Sequence, residues 1–501
     1  MGNRSPDSAD VFFSKEQLKK DLKRKVAQSA LSKVAANGSS FALTMVSTIV
    51  LARLLTPEDF GLLAMVTAIT DFARSFIELG LGTATVQRER ITQQEVSALF
   101  WINCGVGVML TLGLISLSPL LVWFYGDARL LHICMVLSSI FVLGGLTVQH
   151  RALLERQMRF GYLGAINVIS AFLSICVAIL LALHGSGVWA LIYRDILSVG
   201  LYLAGTWLVC GWRPNLPNRK PDVRSSLRFG IDVSGFEIIQ YFSRSLDRIL
   251  LGRFSGATSV GLYSKAFQLA MMPIEQFRMV FWDVGLSPLS ALQSDAERFR
   301  RFYSKLVSIM TFLYMPLVVF LAIQSEAVIR LLLGEAWLSA APLFRILAIA
   351  SFFRPVVGTF QLAMIACGKT RRCILWGLIN AVCMIIAFGI GIRWGGVGIA
   401  YGYTFVSYAI FIWSLWYCFL ETPVEALDVI KSLLIPVISS FGAGIILIGL
   451  LPYMHNTGTL ASLISSSLII GIAYLSFWLC IPSGRQKLSE FWSYRRELLR
   501  A

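Results

Sequence analysis

About fourteen apolar segments follow one another along this chain, each near the roughly 20 residues that carry a helix across a hydrocarbon layer about 30 Å thick. Residues 41–55, 108–124, 166–183 and 379–392 are such runs once their flanks are counted. A lipid interior offers no water to backbone N–H and C=O groups, so segments of this length satisfy them as helices. Little sequence is left for a soluble domain. The 501 residues are 56% hydrophobic and 14% charged, against about 45–50% and 25% in water-soluble domains. The expected fold is an all-α membrane protein with spans near 36–54, 61–86, 96–124, 131–150, 161–183, 188–209, 230–252, 258–290, 304–323, 341–366, 373–393, 396–420, 433–450 and 459–481.

A formal charge of +16 would suit nucleic acid if it were gathered on one polar face. Instead the bases sit in short loops between spans, which excludes a nucleic-acid partner and fixes an orientation. Loops on the cytoplasmic side carry the excess of Lys and Arg. The even-numbered gaps hold Arg88 and Arg90; Arg151, Arg156 and Arg159; Arg213, Arg219, Lys220, Arg224 and Arg228; Arg298, Arg300, Arg301 and Lys305; and Lys369, Arg371 and Arg372. Odd-numbered gaps are nearly bare, 125–130 having Arg129 alone. Both tails are basic, so both termini are expected in the cytoplasm, in a multi-pass membrane protein. The stretch before the first span is too long and charged for a secretory signal. Within it Leu18, Leu22 and Val26 stand four apart among lysines, which suits either a solvated basic tail or a helix lying on an anionic leaflet.

The chain repeats. Leu51, Arg53, Gly61 and Leu62 return as Leu251, Arg253, Gly261 and Leu262 at an offset of 200, and Phe141 and Gln149 return as Phe353 and Gln361 at 212. A six-span unit brings the chain back to its starting side, so the two copies share one orientation, an arrangement that suits alternating access with a substrate near mid-membrane. The expected organisation is a basic segment 1–35, a first lobe 36–209, a cytoplasmic linker 210–229 rich in Pro and Arg, a second lobe 230–420, an added helix pair 421–481 and a tail 482–501.

Ionisable groups at mid-span cost about 2.5–3.5 kcal/mol each on insertion scales and usually face a partner or a wet cavity. The second span holds Asp71, Arg74 and Glu78 on one helical face. The eighth holds Glu275 and Arg278, with Asp283 deeper. The seventh adds Glu237, Arg244, Asp247 and Arg248, with Tyr241 on the arginine side, where its ring suits a sugar. Arg74, Arg244, Arg248 and Arg278, with Tyr241 and Arg53, form the cationic cavity candidates, because guanidinium forks match phosphate oxygens in two-point contacts. Asp71, Glu78, Glu237, Asp247 and Glu275 are candidates for charge pairing or ion coupling. The competing reading is that Asp71 with Arg74, and Glu275 with Arg278, are neutralised pairs that only hold the bundle. Arg53 and Arg253 recur in both copies beside an outer turn, a pattern that also suits a fold role through Glu58 or Asp59. Arg194 and Asp195, adjacent on a helix, are expected to point apart. Arg354 before Pro355 marks a kink, and Pro273 and Pro316 are expected to interrupt spans eight and nine.

The string LARLLTPEDFG at 51–61, ELGLG at 78–82, LGRFSGATSVGLYSKA at 251–266 and LLLGEAWLSAAPLFRIL at 331–347 resemble segments of the Wzx-type polysaccharide flippases, within the multidrug/oligosaccharidyl-lipid/polysaccharide exporter superfamily, exopolysaccharide branch. The likeness runs from about residue 30 to about residue 420. It implies movement of an undecaprenyl-diphosphate-linked oligosaccharide from the inner to the outer leaflet for exopolysaccharide or O-antigen-type polymer synthesis, with membrane lipid and the polymerase and chain-length components of such a pathway as partners. By analogy with lipid II flippases, spans thirteen and fourteen would guide the lipid tail. A proton- or sodium-coupled multidrug antiporter of the same superfamily is the alternative that the buried carboxylates keep open.

An enzyme acting on the same lipids, a polymerase or ligase, would need a large outer loop, and no outer gap exceeds roughly twenty residues. His132, His150, His184 and His455 are isolated, nine cysteines are scattered without metal or disulfide spacing, and no Walker loop or dinucleotide fingerprint is present. No cofactor, metal or catalytic residue is expected.

Overall fold

The computed structural model describes residues 22–78, 81–88, 91–216, 224–454 and 458–489, and of 22–34, 75, 78, 224–244, 280 and 454 the backbone only. The described residues are almost entirely helical. In order come α1 (Leu22–Leu54), α2 (Pro57–Glu78), α3 (Leu81–Gln87), α4 (Gln93–Tyr125), α5 (Arg129–Leu137), α6 (Ser139–Arg156), α7 (Phe160–Leu183), α8 (Val188–Cys210), α9 (Arg224–Ala291), α10 (Ala296–Ile323), α11 (Ser325–Leu332), α12 (Ala341–Ala350), α13 (Arg354–Ala366), α14 (Thr370–Gly391), α15 (Gly395–Tyr417), α16 (Ala426–Leu450) and α17 (Thr459–Cys480). No strand occurs among the described residues.

Ten stretches among the described residues are long and apolar enough to cross a membrane, and one of them, Thr370–Tyr417, contains both α14 and α15. The charge-bearing α2 and α9 fall outside that set. Adding them, with α9 taken as two helices, is compatible with the fourteen crossings expected. Ile385, Ile386 and Ile390 on α14, Ile445 and Ile448 on α16, and Leu468 and Ile472 on α17 are exposed. Such apolar walls on a protein in water would be an association hazard, and against acyl chains they are at equilibrium. Several span hydroxyls are satisfied by the turn before them, as where Thr147 on α6 donates to Leu143 O at 2.7 Å and Ser476 on α17 to Ile472 O at 2.9 Å.

Prolines do not break the helices where the sequence suggests. Pro273 and Pro316 lie inside α9 and α10, which continue through them, because a proline removes one N–H and neighbouring turns hold the rest of the ladder. The break in α9 falls at Gly256, with φ 76° and ψ 175°, a backbone region that a residue with a Cβ rarely enters. The expected kink at Arg354 and Pro355 is present. There α12 ends at Ala350, α13 begins with Pro355 in its first turn, and the Phe352 carbonyl in the gap accepts from the Tyr314 hydroxyl at 2.7 Å.

The chain packs as two compact units, Met1–Gly261 and Leu262–Ala501. Within the first, the repeat meets itself. A Cβ on Gly61 would lie 1.8 Å from the Ala257 carbonyl oxygen, and one on Gly261 the same 1.8 Å from that of Pro57, so the two helix starts cross at a distance that glycine alone permits. Residues 211–216 are fastened to α4. Trp212 Nε1 donates to Gln93 at 2.5 Å, Trp101 Nε1 to Asn215 O at 2.8 Å, and Asn215 N to Ser97 at 3.0 Å. In the second unit α16 and α17 stand on α10, with Gln324 donating to Ser466 at 2.5 Å and Phe312 set against Tyr474 and Trp478.

Candidate functional site

Each unit holds its own group of mid-span charges. In the first, Asp71 and Arg74 lie one turn apart on α2, Asp71 half-buried and Arg74 exposed. Asp71 is within electrostatic reach of Arg74, Arg248 and Asp195. Arg248 Nη2 donates to Ser245 at 3.0 Å, while its backbone N–H donates to the Asp247 carboxylate at 2.7 Å, and Asp247 is buried. The expectation that Arg194 and Asp195 diverge is wrong. Arg194 curls back to place Nη2 2.7 Å and Nε 2.9 Å from Asp195 Oδ1, since three methylenes let the guanidinium undo the angle between successive Cα–Cβ bonds. This pair, absent from the sequence candidates, joins the group through Asp195.

Arg53 and Arg253 are both exposed at the outer turn. Arg253 stands over the rings of Phe124 at 5.8 Å and Phe254 at 5.9 Å. Of the carboxylates named as partners for Arg53, Glu58 accepts from Arg129 at 2.5 Å, and Asp59 accepts from the Thr56 hydroxyl at 2.7 Å and its N–H at 3.0 Å, closing the turn before α2. Arg129 also holds Asp127 at 2.7 Å. The side chains of Glu78, Glu237, Tyr241 and Arg244 lie outside the described residues.

In the second unit two guanidiniums, from two helices, converge on one carboxylate. Arg278 Nε donates to Glu275 Oε2 at 2.5 Å one turn away on α9, and Arg354 Nε, from the start of α13, approaches Glu275 Oε1 at 3.7 Å. Arg354 Nη1 donates to the Tyr403 hydroxyl, and its guanidinium stands 5.8 Å from the centre of that ring. Tyr403, buried on α15, is set edge-on to Phe267 at 5.4 Å and stacked with Phe388 at 6.4 Å. The methylenes of Arg278 rest on Gly358, where a Cβ would meet them at 3.3 Å and 3.4 Å. Arg278 then lines a narrow crevice with Phe281, Trp282, Pro355 and Thr359. The Arg278 guanidinium has the donors for phosphoryl oxygens, while the buried Thr359 hydroxyl is already engaged with Tyr303 and the Val356 carbonyl.

The sequence placed Glu275 and Arg278 on one face and flagged Arg354 by its proline, but Tyr403 carried no signal. A tyrosine in an apolar span reads as packing or an interface anchor, and its role depends on a helix 49 positions away in sequence. Among the described residues no group of three or more His, Cys, Asp or Glu is placed to hold a metal ion.

Comparison with known proteins places these observations in a family. Residues 50–342 match the family model described as polysaccharide biosynthesis protein. The chain is 26% identical over 372 residues to the lipopolysaccharide biosynthesis protein WzxC of Escherichia coli (strain K12), covering 73% of this chain and 75% of that one. It is 27% identical over 365 residues to the succinoglycan biosynthesis transport protein ExoT of Rhizobium meliloti (strain 1021), covering 72% and 73%. Among solved structures, the lipid II flippase MurJ in an inward closed conformation superposes with a TM-score of 0.71 at 15% identity, over 89% of this chain and 97% of the other. That likeness establishes the fold.

Proposed function

This chain belongs to the polysaccharide biosynthesis protein family, and from that premise we propose that it is a flippase carrying undecaprenyl-diphosphate-linked oligosaccharide from the cytoplasmic to the periplasmic leaflet of the inner membrane. It is a multi-pass membrane protein; in this reading both termini are cytoplasmic, and two repeated lobes, joined by the basic segment 210–229, rock between inward-open and outward-open states. The polymer-building enzymes that receive the carried units are its pathway partners. The related proteins named for lipopolysaccharide biosynthesis and succinoglycan transport support the substrate class.

The observation that carries the reading is the Arg278–Glu275–Arg354 group. Two guanidiniums share one carboxylate, which leaves a local charge of about +1 in a span whose insertion cost it raises by several kcal/mol. A carried diphosphate, with about two negative charges, would offset that cost whenever it binds. In the first unit Arg74 and Arg248 lie near Asp71 and Asp195, a more evenly balanced group, and the sugar would lie against the aromatic side chains beside Arg278, among them Trp282.

Substituting Arg278→Ala or Arg74→Ala is expected to lower polymer export at least about tenfold, since each hydrogen-bonded ionic contact contributes about 1.5–3 kcal/mol, with the protein still present in the membrane. Lysine restores the charge but not the two-point geometry, so partial export is expected from it. Full export from both alanine variants rules these positions out. Disrupting the gene should leave lipid-linked repeat units on the inner leaflet; unchanged glycolipids with a new sensitivity to drugs would point to efflux instead.

A further inference from the structure

We propose that Glu275 is an internal counter-ion occupying the place of the substrate's anionic headgroup, and that a polyprenyl diphosphate must displace it to gain Arg278 and Arg354. The proposal rests on the flippase reading above and adds a role for three residues within the second unit.

The geometry is that of an occupied anion site. One carboxylate presents an oxygen to each of two guanidiniums, 2.5 Å from Arg278 Nε and 3.7 Å from Arg354 Nε. The longer contact is already at the limit of an ion pair. Each guanidinium has five N–H donors, and a single carboxylate cannot satisfy both forks, whereas a diphosphate brings two phosphoryl groups and more charge. The three side chains are 36%, 31% and 37% exposed, so the group is not sealed in a dry core. A pair with a purely structural role at this depth would be expected to lie dry between helices, where exposure does not weaken it.

Tyr403 supplies the second half of the device. Buried between Phe267 and Phe388, it holds Arg354 by its hydroxyl and by its ring. When Glu275 lets go, Arg354 therefore stays where it is instead of following the carboxylate. Tyr403 is thus a positioning residue and never touches the headgroup. The acid–x–x–Arg spacing of Glu275 and Arg278 is found also at Asp71 and Arg74, 204 positions earlier. There too the acid has a further arginine within electrostatic reach, Arg248. The first unit differs in that Asp195 and Asp247 stand in the same group, so the surplus of bases belongs to the second unit.

The test uses the full chain, purified and reconstituted, with inorganic pyrophosphate as the probe in a direct binding measurement at fixed salt. Removing the internal competitor should tighten binding, so Glu275→Gln is expected to bind pyrophosphate at least tenfold more tightly than the unaltered chain. Glu275→Asp, whose shorter arm loosens the hold on Arg354, should give a smaller gain, and it serves if the glutamine variant fails to fold. Adding Tyr403→Phe to Glu275→Gln should remove part of that gain while leaving the contribution of Arg278, measured by Arg278→Ala, unchanged. Equal or weaker pyrophosphate binding by both Glu275 variants overturns the proposal. Vesicles containing undecaprenyl diphosphate should compete with the probe; no competition would assign the site to a soluble diphosphate and overturn the headgroup assignment. Export in cells is scored separately. Tighter binding in a chain that exports no lipid-linked sugar would sink the flippase reading alone, whereas normal export with unchanged binding would sink the counter-ion alone.

Discussion

Asp127 sits between α4 and α5, and the guanidinium of Arg129 holds its carboxyl below the usual carboxylate range, chiefly by the hydrogen bond it donates. A folded-state pKa below the unfolded value of about 3.9 gives stability that is present above that value and is lost as pH falls through the depressed one. Asp127→Asn is therefore expected to lower the unfolding temperature at pH 7, by the equivalent of about 0.5 kcal/mol because Arg129 is half-exposed. The difference should shrink as pH falls below about 3.9 and vanish below the depressed value, and stay constant between pH 6 and 8. A gap that widened in acid would show that the pairing had been misread. The residue scale is also where the sequence is least complete. Charges at i and i+3 within an apolar run, such as Glu275 and Arg278, announce themselves because insertion cost makes them conspicuous. Arg194 with Asp195 does not, because adjacency suggests divergence and only the reach of a flexible side chain reverses it.

At the scale of elements, the crossing of α2 with the segment after Gly256 makes the most demanding claim. The repeat offset of 200 was legible from Leu51, Arg53, Gly61 and Leu62, but what the glycines do was not, because a lone glycine in a helix looks like a weak point and not like a contact surface. In the structure the reciprocal distances of 1.8 Å from Gly61 and Gly261 to opposing carbonyl oxygens leave no room for a methyl group. Because the obstacle is backbone, no side chain can swing away, and the helices would have to separate. Gly61→Ala and Gly261→Ala are each expected to destabilise by about 1–3 kcal/mol, read as a fall in unfolding temperature in detergent. Gly38→Ala is the control. It lies in α1 with nothing within 4 Å, so the ordinary helix preference for alanine should make it neutral or stabilising by up to about 1 kcal/mol. Similar losses at all three positions would mean that glycine matters here for flexibility and not for close approach.

For the whole molecule, bases expected to orient the chain also hold acidic residues of neighbouring loops. On the side expected to be cytoplasmic, Lys369 and Arg372 both hold Glu421 at 3.0 Å, and Arg372 donates to Tyr417 O at 2.9 Å. Arg300 reaches Glu425 at 2.9 Å, Asp428 at 3.2 Å and Pro423 O at 3.1 Å, beside the first turn of α16. Ion pairs this exposed add little stability individually, so their main consequence is topological. They keep a dense band of Lys and Arg on one surface, where cytoplasmic retention of positive charge dominates. In the first unit the loop between α4 and α5 offers one base, Arg129, which holds Asp127 and Glu58. The expected orientation therefore puts these bases in loops already anchored by partners. An alkaline phosphatase reporter joined after Gly126 should be active and one joined after Gly368 or Thr422 inactive, with a fluorescent reporter giving the reverse pattern. The opposite result would invert every loop together, because the spans between them are fixed in number, and the direction of carriage from inner to outer leaflet would have to be abandoned even if the arginine groups still bound a diphosphate.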